Sequence, residues 1–251
     1  MEVIRLSPSR INEYQQCPQL YNYRVIQKLP EPISLDAARG TLVHSILETL
    51  LAKPALERTL ESAIESAPSH WSTQKEMTPG LADAVADEKE WLDRVNALLE
   101  CYFALENPTT FNPTHMEEHL ELEPVDQLQL HGFVDRIDVA PTGEVRIVDY
   151  KTGKSPKAGY EDKALFQLRF YGLLWYRKTG EIPRLLQLLY LGNQQVLRNS
   201  PTENDLLNAE RKALAIGNEI KISIEKDFWP TQKSRLCDWC SFQNICPAFS
   251  K

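Results

Sequence analysis

The stretch that decides the fold reads His131-Gly132-Phe133-Val134-Asp135-Arg136-Ile137-Asp138, then a turn at Pro141-Thr142-Gly143, then Val145-Arg146-Ile147-Val148-Asp149-Tyr150-Lys151. Two apolar, β-branched runs flank a short glycine-containing turn, which is the pattern of a β-hairpin. Apolar residues occur on both faces of each run, so buried strands are expected. A buried strand that carries Asp135, Asp149 and Lys151 must offset the desolvation of those charges. Side chains alternate along a strand, so Asp149 and Lys151 point to one face. If the hairpin sets Asp135 beside Asp149, two carboxylates and one ammonium converge. Such a spot can hold a hard divalent cation next to a fixed positive charge, which is equipment for cutting a phosphodiester bond. An Asp-x-Lys alone reads as well as strand-end charges in an ion pair, and the decision rests with residues elsewhere in the chain.

Upstream, Ser7-Pro8 has the form of an N-cap followed by proline at the first helical position. It predicts a helix from about Pro8 to Gln16, with a second from Pro18 toward Ile26. Leu35 to Ala52 carries an apolar stripe at helical spacing. Pro54 to Ser66 reads as a helix, Ala67 to Pro79 as a Ser/Thr/Pro-rich loop, and Leu81 to Leu105 as one long helix. Cys101 on that helix reads as a plain core or semi-buried thiol. Strands are expected at about Met116–Leu122, Gln127–Val139 and Val145–Lys151. A helix follows at Leu165–Lys178, then a hairpin Leu185–Leu191 and Gln195–Asn199, then a helix Asn204–Ile224. This order predicts an α/β fold with a central mixed β-sheet flanked by helices.

The chain has 251 residues, 42% hydrophobic and 25% charged, an ordinary globular composition. No stretch approaches the roughly 18 apolar residues of a membrane span, and the N-terminus has no apolar signal region. A cytoplasmic protein is expected. The net charge of −7 speaks against nucleic acid, but the distribution does not. Residues 41–125 hold 16 acidic and 5 basic residues, whereas residues 131–180 hold 9 basic and 6 acidic. A local basic surface can bind phosphates on an acidic chain, although helix-end charges such as Arg177 and Lys178 read first as a solvated face.

Cys237-x2-Cys240-x5-Cys246-Pro247 sets three thiols in a tail without helical or strand periodicity, and Cys17-Pro18 lies far upstream. Four thiolates suit an iron–sulfur cluster or a structural zinc, and the spacing does not separate the two. Either would clasp the chain ends together. His44, one turn after Arg39-Gly40, has apolar neighbours; a lone inward histidine is more often a hydrogen-bonded core residue than a ligand. Imidazole beside two carboxylates would suit manganese as well as magnesium. Glu48 reads as exposed. Gln167 and Tyr171, spaced i and i+4, share a helix face and by themselves are a weak phosphate-contact signal.

Taken in order, Arg39-Gly40…His44, Gly132…Asp135, Asp149-Tyr150-Lys151 and Gln167…Tyr171 resemble the RecB-type branch of the PD-(D/E)xK nuclease superfamily. The one-plus-three cysteine pattern, with Ser7-Pro8-Ser9-Arg10…Tyr14…Cys17-Pro18, resembles the iron–sulfur members of that branch, among them the AddB nuclease domain and the CRISPR spacer-acquisition nucleases. The resemblance implies a restriction-endonuclease-like core forming one nuclease domain over 1–251. A helical insertion at about 54–112 and a cluster-binding tail at 227–251 would belong to it. It implies a metal-dependent deoxyribonuclease, an exonuclease on single-stranded or unwound DNA ends in repair or recombination. His44, Asp135, Asp149 and the Tyr150 carbonyl would hold Mg²⁺ or Mn²⁺, and Asp135, Asp149 and Lys151 would form the catalytic set. Arg39, Gln167 and Tyr171 would contact DNA. Cys17, Cys237, Cys240 and Cys246 would bind a [4Fe–4S] cluster. No Walker A loop is present, so unwinding would come from a partner helicase. A non-catalytic DNA-binding or helicase-partner module with the same fold is the competing expectation.

Overall fold

The computed structural model describes residues 3–249. Its centre is a mixed sheet. The strands are β1 (Ile4–Leu6), β2 (His115–Glu121), β3 (Leu128–Val139), β4 (Val145–Lys151), β5 (Leu185–Tyr190) and β6 (Gln195–Asn199). The order is β1-β3-β4-β5-β6, with β2 on the other edge of β3. β3 and β4 are the expected hairpin, paired from Arg136–Val148 to Val139–Val145. β5 runs parallel to β4 and β6 antiparallel to β5. β1, which the sequence pattern did not reveal, pairs parallel with the start of β3. At three residues it is too short to show periodicity.

Helices cover both faces. α1 (Pro8–Gln16), α7 (Asp162–Thr179) and α8 (Glu203–Lys226) pack on one side. α3 (Leu35–Ala52), α4 (Leu60–Met77) and α6 (Glu88–Leu105) pack on the other, against Val148, Tyr150 and Leu189. α2 (Pro18–Tyr21) and α5 (Leu81–Ala84) are short. The starts are set locally: Ser7 accepts from the Arg10 N–H, Ser34 from Ala37, and Thr202 forms a capping box with Asp205. No helix among the described residues is long and apolar enough to cross a membrane.

Two expected boundaries are corrected. The stretch Ala67 to Pro79 is not a loop, because α4 continues through Pro68 to Met77. Ala63, Ala67 and Trp71 form a stripe at four-residue spacing, each no more than 1% exposed. Burying an indole removes about 150–250 Å² from water, worth roughly 4–6 kcal/mol; an internal proline costs about 3 kcal/mol. The single helix expected over Leu81–Leu105 is broken between α5 and α6, where Asp87 caps α6 by accepting from the Glu90 N–H at 2.9 Å.

Candidate metal centre

The geometry of the site follows from how β3 is shared. The β2 ladder occupies one edge of β3 over most of its length. The other edge is divided: β1 pairs with residues 128–130 and β4 with residues 136–139. His131 to Asp135 face the opening between them. At this point the strand also changes phase. Leu128, Leu130, Val134 and Ile137 all enter one core, so the inward period of two slips by one residue around Asp135. Its neighbour on β2, Glu117, is in the left-handed region at φ +47°, a conformation that costs a non-glycine residue free energy. Both strands are thus irregular at the same rung, where Glu117 and Asp135 face one cleft.

His44 arrives from α3. Its Nδ1 lies 3.3 Å from Asp135 Oδ1, and its Nε2 donates to the Tyr150 carbonyl at 3.0 Å. The other Asp135 oxygen accepts the Tyr150 N–H at 2.6 Å, taking the place of the ladder bond lost where β4 leaves β3. Donor atoms of His44, Glu117 and Asp135 all lie within 4.8 Å of one another. Burial disfavours a charged His44, but the hydrogen bond and charge of Asp135, with the charge of Asp149, outweigh it and push the imidazole up to about 9. Burial and then the Asp135 charge push Glu117 up to about 7. A crowded carboxylate that resists ionisation, as Glu117 does, is what a divalent cation relieves, so the donor set fits a hard cation with an imidazole ligand.

Asp149 stands next to this group and is bound differently. It is 2% exposed. One oxygen lies 2.6 Å from Lys151 Nζ, and the other accepts from Gln167 Nε2 at 3.0 Å. Burial raises its pKa against the pull of Lys151. Gln167 also donates to the Tyr171 hydroxyl at 3.1 Å. Gly132 lets this happen: a Cβ there would sit 2.8 Å from the Tyr171 ring. Lys151, Gln167 and Tyr171 line a cavity of about 430 Å³ with Ser7, Ser9 and Phe133. Arg39 is turned away, paired with Asp36 and lying over the Trp91 ring.

Glu117 was not singled out from sequence. Glu117-Glu118 is an ordinary pair of acids on an edge strand, and only the pairing of β2 with β3 identifies which one faces Asp135. The tail brings Cys17, Cys237, Cys240 and Cys246 to one pocket, beside Leu20 and Tyr23. Cys101 lies elsewhere, on α6 at the edge of the other core, and accepts from Gln194 Nε2 at 3.4 Å.

The PD-(D/E)XK nuclease superfamily model matches residues 5–247. The chain belongs to that superfamily. It is 25% identical to the Gene 69 protein of Mycobacterium phage D29, over 97% of this chain and 96% of that protein. It is 23% identical to the Gene 69 protein of Mycobacterium phage L5, with the same coverage. A crystal structure from Eubacterium rectale, described as a presumptive exonuclease, superposes with a TM-score of 0.62 at 14% identity, over 94% of this chain and 86% of that one. That likeness shows a common fold. Superfamily membership and the His44–Glu117–Asp135 group together support a metal-dependent nuclease that binds nucleic acid.

Proposed function

We propose that the chain is a Mg²⁺- or Mn²⁺-dependent deoxyribonuclease, an exonuclease that acts on single-stranded or unwound DNA ends. The observation that carries this reading is the convergence of His44, Glu117 and Asp135 at the fork of β3 and β4, beside the Asp149–Lys151 pair. His44, Asp135, Asp149 and the Tyr150 carbonyl, with Glu117 as a further donor, would hold a divalent cation there, which would supply Lewis acidity and lower the pKa of water. Lys151, one-third exposed and raised in pKa by Asp149 against its own burial, remains cationic and meets the charge that develops on the phosphate. Gln167 holds Asp149 in place from α7, and Tyr171 holds Gln167. The decisive experiment compares wild type and Asp149→Ala on labelled single-stranded DNA with Mn²⁺. Wild-type cleavage and an inert, folded variant are expected. A variant that cuts at the wild-type rate would remove Asp149 from the site, and binding without cleavage by the wild type would favour the non-catalytic module.

The same reading gives Cys17, Cys237, Cys240 and Cys246 a [4Fe–4S] cluster that joins the first helices to the tail; their common pocket suits a site of four thiolates. Protein purified without oxygen should contain iron and acid-labile sulfide, retain them in Cys101→Ser and lose them in Cys240→Ser. Stoichiometric zinc would overturn this assignment. Unwinding would fall to a separate helicase, and a nuclease lacking one should be active only on strands already open.

A further inference from the structure

Phe133 has no role in the reaction described above, yet it stands in the opening of β3, two residues before Asp135. At about 3.3 Å per residue, that places it roughly 7 Å along the strand from the metal-facing carboxylate. Its side chain is 56% exposed on a strand whose neighbours are mostly buried. A large aromatic left in water beside a site costs hydrophobic stabilisation unless something covers it. It is also backed by a second ring. The His119 ring, directly opposite on β2, stacks against it with centroids 4.5 Å apart and planes 17° apart. His131, one step further along β3, meets His119 edge-on at 5.6 Å. The result is a supported flat ring that lines the cavity containing Lys151, Gln167 and Tyr171.

That cavity continues away from the metal-facing rung. It shares Ser7, Ser9 and His131 with a second cavity of about 760 Å³, whose wall includes Lys28 and Lys221 together with Arg5, paired with Glu121, and Arg10, paired with Glu13. An acidic pocket for a cation, an aromatic face one step away and a cationic groove beyond form a linear series. A single nucleic-acid strand matches it: scissile phosphate, base, then further phosphates. Aromatic stacking with a charged groove tracking the backbone is how proteins hold single strands without reading sequence. A base inside a duplex cannot offer its face in this way.

We propose that Phe133, backed by His119, is a stacking platform for an unpaired base of single-stranded DNA lying next to the cleaved phosphate. The assignment deepens the nuclease reading of this site and rests on it. Its test measures binding and cleavage separately. Fluorescence anisotropy in EDTA, where the strand stays intact, would compare wild type, Phe133→Ala and Phe133→Trp. The ligands are a labelled oligothymidylate, the same strand with abasic sites, and a blunt duplex. Phe133→Ala should weaken oligothymidylate binding about tenfold or more, the effect of losing one stacked base. Phe133→Trp should restore it. Neither variant should change binding of the abasic strand or the duplex, because the coupling is between ring and base. Equal losses on all three ligands, or no loss on any, would overturn the platform. Cleavage by the wild type with Mn²⁺ separates the two readings. A wild type that cuts the strand while Phe133→Ala binds it normally overturns the platform alone. A wild type that neither binds nor cuts DNA overturns the nuclease reading, and the platform with it.

Discussion

Two buried charged groups sit on adjacent residues of β3, and they are built to opposite ends. Arg136 is 0% exposed. Its guanidinium donates to both oxygens of Glu106 at 2.8 Å, to Asp138 at 3.2 Å and to the Tyr150 hydroxyl at 2.7 Å. Its plane lies 4.3 Å from the Phe111 ring, and Arg146 adds a second cation against Asp138 at 2.8 Å. Two arginines meet two carboxylates, and every nitrogen of Arg136 is used. At the neighbouring rung, three carboxylates (Glu117, Asp135 and Asp149) share one lysine and one histidine, and the group opens to a cavity. Burial of charge therefore does not distinguish a site from a structural bolt. The distinction lies in balance: the first group is neutral and closed, whereas the second carries an excess of acid that only an added cation offsets.

That contrast can be broken in five ways. The largest effect is expected at Asp135→Asn, which keeps an acceptor for the Tyr150 N–H but weakens a metal ligand. Cleavage should fall about 10³-fold or more, since ligand loss costs several kcal/mol of transition-state stabilisation, while the urea midpoint stays near wild type. Unfolding of this variant would place the fork in the same class as the arginine group. Arg136→Met should do the reverse, costing about 3–5 kcal/mol of stability by leaving Glu106 and Asp138 short of a partner. Urea denaturation reads it directly. A fully stable Arg136→Met protein with cleavage abolished would undo the comparison.

Added Mn²⁺ should stabilise the wild type, by about 2.7 kcal/mol at a hundredfold excess over its dissociation constant, and EDTA should reverse the gain. Glu117→Gln should weaken Mn²⁺ binding about tenfold, or about 1.4 kcal/mol, which calorimetric titration would read. An unchanged affinity would remove Glu117 from the site and leave its positive φ unexplained. The smallest effect is expected at Gly132→Ala. The new methyl would press on the Tyr171 ring, which can shift, so a cost near 1 kcal/mol is expected, the low end for overpacking. Cleavage should drop a few-fold as Gln167 moves from Asp149. A variant as active and stable as the wild type would show that Tyr171 does not position that contact.

Much of the frame was legible because it is local. The period of two over Val145–Lys151 requires Asp149 and Lys151 to share a face, and their side chains lie 2.6 Å apart. Helical spacing of Gln167 and Tyr171 likewise sets their side chains 3.1 Å apart. Leu35–Ala52 was readable to its ends, since its Ser34 cap and apolar stripe lie within one segment. Failures came where local and non-local forces compete. Pro68 and the surrounding serines spell a loop, but Trp71 needs α3 and α6 to bury it, and those partners lie outside the window.

The sequence by itself determined the superfamily pattern, the hairpin and the pairing of residues two or four apart, because strand and helix periods are fixed by backbone sterics. Only the tertiary structure decided which acids meet. Glu117, Asp135 and His44 come from two strands and a helix separated by long stretches of chain, and strand register, unlike period, is set by the whole sheet. The same register turned Phe133 outward beside them and sealed Arg136, one residue past Asp135. Adjacent residues of one strand went to opposite fates because β4 pairs with the second and leaves before the first.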